Sequence, residues 1–191
     1  MRKSLLGIAI ATTLLTSLGH AETATYAFDP AHTYVTFEIG HFGTSTNRGR
    51  FDKKEGTVQL DKTGKTGKVS VTVDTTSINT GFAAFNNHLQ SADLFDAAKY
   101  PTIKFESTKW TFNGDKVTEV TGNLTLLGTT LPVTLKANQF NCYENPMLKR
   151  EVCGGDFEAT IDRTAFGMNY GIDWGFPKAV RLIIQAEAIK Q

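Results

Sequence analysis

The sequence predicts a mainly β protein, a single antiparallel barrel of about eight strands with a short helical insertion at its open end. Two observations point there. Apolar residues alternate with polar ones through most of the 191-residue chain, the mark of antiparallel sheet with one solvated face. Only Gly81 to Phe95, GFAAFNNHLQSADLF, changes to helical spacing, with Phe82, Phe85, Leu89 and Ala92 on one stripe.

The chain starts with Arg2 and Lys3, an apolar run from Leu5 to Leu18, and small residues at Gly19-His20-Ala21. That pattern is a secretory signal peptide over 1–21, leaving one domain over 22–191 and a periplasmic or secreted location. The run is short for a membrane span, and no later stretch is long and apolar enough to be one. The leader holds two of the twenty Lys and Arg and no acidic residue, so eighteen basic side chains then face nineteen acidic ones. A balanced surface gives no electrostatic case for nucleic acid.

The strands follow in order. Val35, Phe37, Ile39 and His41 share one face, and Val69, Val71 and Val73 do the same further on. From Ile103 to Ser107 the apolar phase is odd-numbered, yet Trp110 and Phe112 are even, which calls for a bulge or strand end near Ser107 to Lys109. Leu124 and Leu126, then Leu131, Val133, Leu135 and Ala137, flank a hairpin signal at Gly128-Thr-Thr. Phe157, Ala159 and Ile161 form another face, and Val180, Leu182, Ile184 and Ala186 the last. The opposite faces carry Glu38, Lys104, Glu106, Arg181 and Glu187. An outer-membrane barrel has an apolar exterior instead, so this pattern excludes one.

Cys142 and Cys153 are both in the exported part, and in an oxidising compartment such a pair forms a disulfide. Their spacing is not that of a redox motif, and no His lies near them for a metal site. Three histidines follow the leader: His32, His41 and His88. None belongs to a zinc-protease, nucleophile-elbow, P-loop or dinucleotide motif. Phe82, Phe85, Leu89, Leu94 and Phe95 are many apolar residues for a helix that only covers a barrel end. Two readings stay open: simple plugging of the mouth, or one wall of a long apolar cavity with Asn86, Asn87, His88 and Gln90 at its rim. The Gly- and aromatic-rich segment from Thr164 to Pro177 is either a self-packed surface loop or a second pocket wall, with Phe166, Met168, Tyr170 and Trp174 available for contact.

Four ordered segments carry a resemblance. They are His32-x-x-Val35-x-Phe37-x-Ile39-x-His41-Phe42-Gly43 with Gly49-x-Phe51; Ser77-Ile-Asn-Thr-Gly81 leading to His88-Leu-Gln-Ser-Ala-Asp-Leu-Phe-Asp96 and Tyr100-Pro-x-Ile-x-Phe105-x-Ser107; Gly122-Asn-Leu-Thr-Leu-Leu-Gly128-x-Thr130-x-Pro132-Val-x-Leu135; and Ile161-Asp-Arg-Thr-Ala-Phe-Gly-Met168. Together they resemble the YceI-like family of exported polyisoprenoid-binding proteins. The resemblance implies a lipocalin-like barrel whose long cavity holds an isoprenoid such as a polyprenyl quinone or polyprenyl pyrophosphate, with acyl lipids also compatible. It also implies a periplasmic carrier or store, often a homodimer. Where family members have Arg-Asp ahead of the helical His, this chain has Phe85 and Asn86, and Gln90 replaces a further Arg. Loss of charge there favours a neutral head group, a quinone such as ubiquinone, over pyrophosphate.

The candidate ligand-binding set is therefore Val35, Phe37, Ile39, His41, Phe82, Phe85, His88, Leu89, Leu94, Phe105, Phe166, Met168 and Trp174, with no catalytic residue, no metal and no cofactor expected. The competing expectations are a secreted structural, interaction or stress protein whose barrel core is filled, and a hydrolase or isomerase using His41 or His88.

Overall fold

The computed structural model describes residues 23–191; the leader reading over 1–21 lies outside them. Eleven antiparallel strands form one sheet: β1 (Ala24–Phe28), β2 (Tyr34–His41), β3 (Ser45–Phe51), β4 (Lys54–Asp61), β5 (Thr66–Asp74), β6 (Ile78–Asn79), β7 (Thr102–Asn113), β8 (Lys116–Leu126), β9 (Thr129–Asn145), β10 (Arg150–Asp162) and β11 (Ala179–Lys190). Eight of them close in the order β1-β4-β5-β7-β8-β9-β10-β11, because β1 pairs with both β4 and β11. Closure leaves those strands without an unpaired edge. The expected antiparallel barrel is the fold observed.

The three other strands arise where the wall splits. β11 pairs along its last residues with β1 and along its first with β2, so β1 and β2 share one edge of it. β2 continues to β3, and β3 to the two-residue β6. Beside β6 begins α1 (Ala83–Gln90), the one α-helix among the described residues. The barrel therefore opens at the end formed by the β2–β3 turn, α1 and the β10–β11 connection.

Local chemistry sets the details. The β8–β9 turn is Leu127-Gly128, one residue earlier than the Gly128-Thr-Thr signal suggests, with φ of 52° and 74°. Both residues of a tight primed hairpin turn need positive φ, which Gly128 supplies without strain. The phase slip between Phe105 and Trp110 is a register shift between Ser107 and Lys109. The Ser107 Oγ fills the gap in the ladder, accepting from Val69 N at 2.8 Å and from Trp110 Nε1 at 3.1 Å. A second shift, opposite Asn138, turns the phase of β9 so that Phe140 faces the interior.

Cys142 and Cys153 are direct cross-strand partners on β9 and β10 and form the expected disulfide. On the outer wall Glu38 pairs with Arg48 (2.7 Å) and Arg181 (3.2 Å), and Arg181 also meets Glu158 (2.6 Å). This chain of charges crosses four strands on the face that the alternation assigns to solvent.

Candidate functional site

The inward faces of the strands do not meet on the barrel axis. They enclose a cavity of about 420 Å³ that opens to the outside at the α1 end. Drug-sized ligand sites span roughly 300–1,000 Å³ and are mostly apolar. A filled barrel core, the competing structural expectation, is not what forms.

The space survives because several large rings lie against the wall. A Cβ on Gly49 would meet the Phe37 ring at 2.4 Å, one on Gly122 the Phe105 ring at 2.5 Å, and one on Gly67 the Trp110 ring at 2.3 Å. Each aromatic occupies the gap left by a glycine on a nearby strand, a device that also rigidifies sheets. Phe37, Phe105 and Trp110 all line the cavity.

One side of the cavity is an aromatic cluster on β2, β3 and the segment after α1. Phe37, Phe51 and Phe95 stand 5.6 to 6.2 Å apart, centroid to centroid, separations that favour edge-to-face and tilted pairs. Leu89 and Ile78 belong to the same cluster, with Phe85 and Leu94 packed on it. The helix is anchored there from both ends. Asn86 Oδ1 accepts from Thr80 N (2.8 Å) and Thr80 Oγ1 (2.7 Å), and Gln90 Nε2 donates to Thr76 O (3.1 Å).

The mouth is framed by two further aromatic groups. His41 at the end of β2 meets Phe176 at 5.4 Å, and Phe176 meets Phe42 at 4.7 Å. His88 on α1 meets Tyr170 at 5.0 Å, and Tyr170 meets Trp174 at 5.1 Å. Both histidines thus end in rings rather than beside a carboxylate or each other. Among the described residues no group of three His, Cys, Asp or Glu could hold a metal.

Of the residues expected from sequence, Val35, Phe37, Ile39, His41, Phe85, His88, Leu89, Leu94, Phe105, Met168 and Trp174 line the cavity. Two do not. Phe82 is 68 % exposed: it stands at the N-cap of α1 with extended backbone (φ −132°, ψ 111°), off the helical stripe. Phe166 is only 3 % exposed but packs into the main core from a 3-10 turn, Arg163–Phe166, rather than onto the cavity wall. Tyr170, named from sequence only as available for contact in a second pocket wall, lines the space too, and sequence reasoning missed Trp110, Phe176 and Arg163, which also line it. For Arg163 a signal existed. The inward phase of Phe157 and Ile161 on β10, continued by two residues, falls on it.

At the far end the wall is sealed by polar groups. Tyr26, buried, donates through its hydroxyl to Glu151 Oε1 at 2.5 Å, and Lys62 forms an ion pair with the same carboxylate. Burial pushes the Tyr26 hydroxyl far above its ordinary value, reinforced by the bond to Glu151. Burial also raises Glu151, but its bonds from Lys62 and Tyr26 outweigh that and hold its carboxyl below the usual range.

The strands thus form a closed antiparallel barrel with one open mouth and an apolar interior cavity. The family model described as the YceI-like domain matches residues 26–188, and the chain belongs to that family. It is 39 % identical over 195 residues to the Escherichia coli O157:H7 protein YceI, and 36 % identical to a Pseudomonas aeruginosa (strain LESB58) protein, each covered in full by the other. Among solved structures it is similar to Campylobacter jejuni YCEI protein, with a TM-score of 0.66 and 25 % identity over 80 % of this chain and 90 % of that one. A polyisoprenoid binding domain from Saccharophagus degradans shares the fold at 15 % identity and TM-score 0.62, over 89 % of this chain and all of that one.

Proposed function

We propose that this protein is a non-enzymatic carrier or store of a long isoprenoid lipid, held in the barrel cavity and handled in the periplasm. The apolar cavity opening at α1 is the observation that carries the reading. Burial of a polyprenyl chain against Val, Leu and Phe side chains would supply the affinity, at about 25 cal/mol per Å² before the costs of association. The polyisoprenoid-binding description of a protein with the same fold supports the ligand class. The leader pattern supports export.

A polyprenyl quinone is favoured over a pyrophosphate because α1 offers the mouth no cation: Phe85, Asn86 and Gln90 are uncharged. His41 and His88 serve as rim residues within aromatic groups, not as a catalytic pair. Native mass spectrometry and organic extraction of freshly purified protein test the reading. The expected result is a copurifying lipid whose mass fits an isoprenoid. Protein that is lipid-free as purified and takes up no added quinone would contradict it.

A further inference from the structure

We infer that Arg163 is a ligand-binding residue, its guanidinium donating from the cavity wall to an oxygen acceptor on the head group of the bound lipid. The inference rests on the lipid-binding reading and adds the chemistry that fixes one end of the ligand.

Arg163 is 3 % exposed and is the one cationic side chain among the described residues that is buried. It continues the inward face of β10 beyond Phe157 and Ile161, and all three line the cavity. Two of its nitrogens are used by the protein: Nε donates to Pro177 O at 2.9 Å and Nη1 to Met168 O at 3.1 Å. Nη2 donates to no other described residue and is not sealed in, since no fully buried side-chain nitrogen or oxygen among the described residues lacks a partner, and no carboxylate pairs with the group. The neighbouring carboxylate is engaged elsewhere, since Asp162 Oδ1 accepts from Thr164 N (2.8 Å) and Thr164 Oγ1 (2.6 Å). Burial accordingly pushes the guanidinium below its ordinary value, only partly countered by Asp162.

A role limited to tying the β10–β11 connection explains two donors. It does not explain a permanent charge placed against an apolar cavity with donors to spare. A guanidinium has five N–H groups in a rigid fork suited to oxygen acceptors, and a buried charge without a partner is costly. An oxygen at the end of an apolar chain relieves that cost once the cavity is filled. A quinone carbonyl and a phosphate oxygen both have this chemistry; an isoprenoid hydrocarbon has neither.

The test compares delipidated wild type and Arg163→Met in equilibrium binding to three probes: a short-chain ubiquinone, geranylgeranyl phosphate and squalene, which contains no oxygen. Wild type should prefer one or both oxygen-bearing probes over squalene. The variant should lose about tenfold on the preferred probe, the scale of one charge-assisted hydrogen bond, while squalene shifts by no more than about twofold. Loss on either oxygen-bearing probe supports the assignment and says which oxygen is held. An equal loss on all three probes, or none on any, overturns it.

A second measurement needs no variant. Infrared spectroscopy of the preferred probe bound to wild type should show its C=O or P–O stretch displaced from its position in apolar solvent, and an undisplaced band overturns the assignment. Wild type that binds all three probes equally overturns the role of Arg163 alone. Wild type that binds none overturns the lipid reading as well.

Discussion

Phe82 and Phe85 are three residues apart and have opposite surroundings. Phe85 packs on the Phe37–Phe51–Leu89 cluster and lines the cavity, whereas Phe82 projects into solvent from the N-cap of α1. Phe85→Asp should abolish lipid uptake, because a carboxylate would then face an apolar wall without a partner. Phe82→Asp should leave uptake intact and give the helix a capping residue of the preferred type, with a gain of about 0.5–2 kcal/mol in stability. Lipid uptake and thermal melting of the two variants check both statements. Sequence spacing put both rings on one stripe; what it could not show is where the first helical residue falls, and that decides which ring turns inward.

Glu151 makes a further residue-level prediction. The folded chain keeps its carboxyl ionised to lower pH than the unfolded chain does, because Lys62 and Tyr26 donate to it. Its contribution to stability is whole above its ordinary value of 4.5 and is lost as pH falls through the lowered folded value. Thermal melting across that range should show wild type more stable than Glu151→Gln at neutral pH, with the gap closing in acid. A gap that stays constant would show that the ionised form is not what stabilises this end of the barrel.

At the scale of the element, the bulge in β7 shows how phase information passes from sequence to structure. Alternation on either side of Ser107–Lys109 disagrees by one residue, and the backbone absorbs the difference at that point in the ladder, as the shift between Ser107 and Lys109. The Ser107 hydroxyl then replaces a ladder acceptor for Val69 N and also receives Trp110 Nε1. Ser107→Ala should leave both donors unsatisfied and cost about 1–3 kcal/mol, read as a fall of several degrees in Tm with loosened packing of Trp110. The corresponding slip opposite Asn138 was not legible, because the apolar alternation ends at Ala137, Asn138 and Gln139 are polar, and Phe140 reads as an isolated apolar residue. Arg163 was overlooked for a related reason. A charged residue just past a strand end reads as solvent-facing unless the strand's phase is extended through it.

At the scale of the molecule, alternation and closure together account for the barrel, since inward faces from eight strands must be covered and an eight-stranded barrel is just wide enough to keep a space. That the space stays open was less legible. It depends on pairing several large rings with a glycine on a nearby strand, Phe37 with Gly49, Phe105 with Gly122 and Trp110 with Gly67, and sequence does not reveal cross-strand register directly. The family resemblance supplied the cavity before the geometry did.

The proposed occupant of this cavity is one long quinone-type lipid, and Trp110 on its wall allows a direct measurement. The chain has two tryptophans, so Trp174→Phe leaves Trp110 as the sole tryptophan reporter. Titration of the delipidated variant with a short-chain ubiquinone should quench that emission to saturation at one ligand per chain, and the added Phe85→Asp change should abolish the saturable phase. Quenching that rises linearly without saturation, or that is indifferent to Phe85→Asp, would contradict occupancy of the cavity.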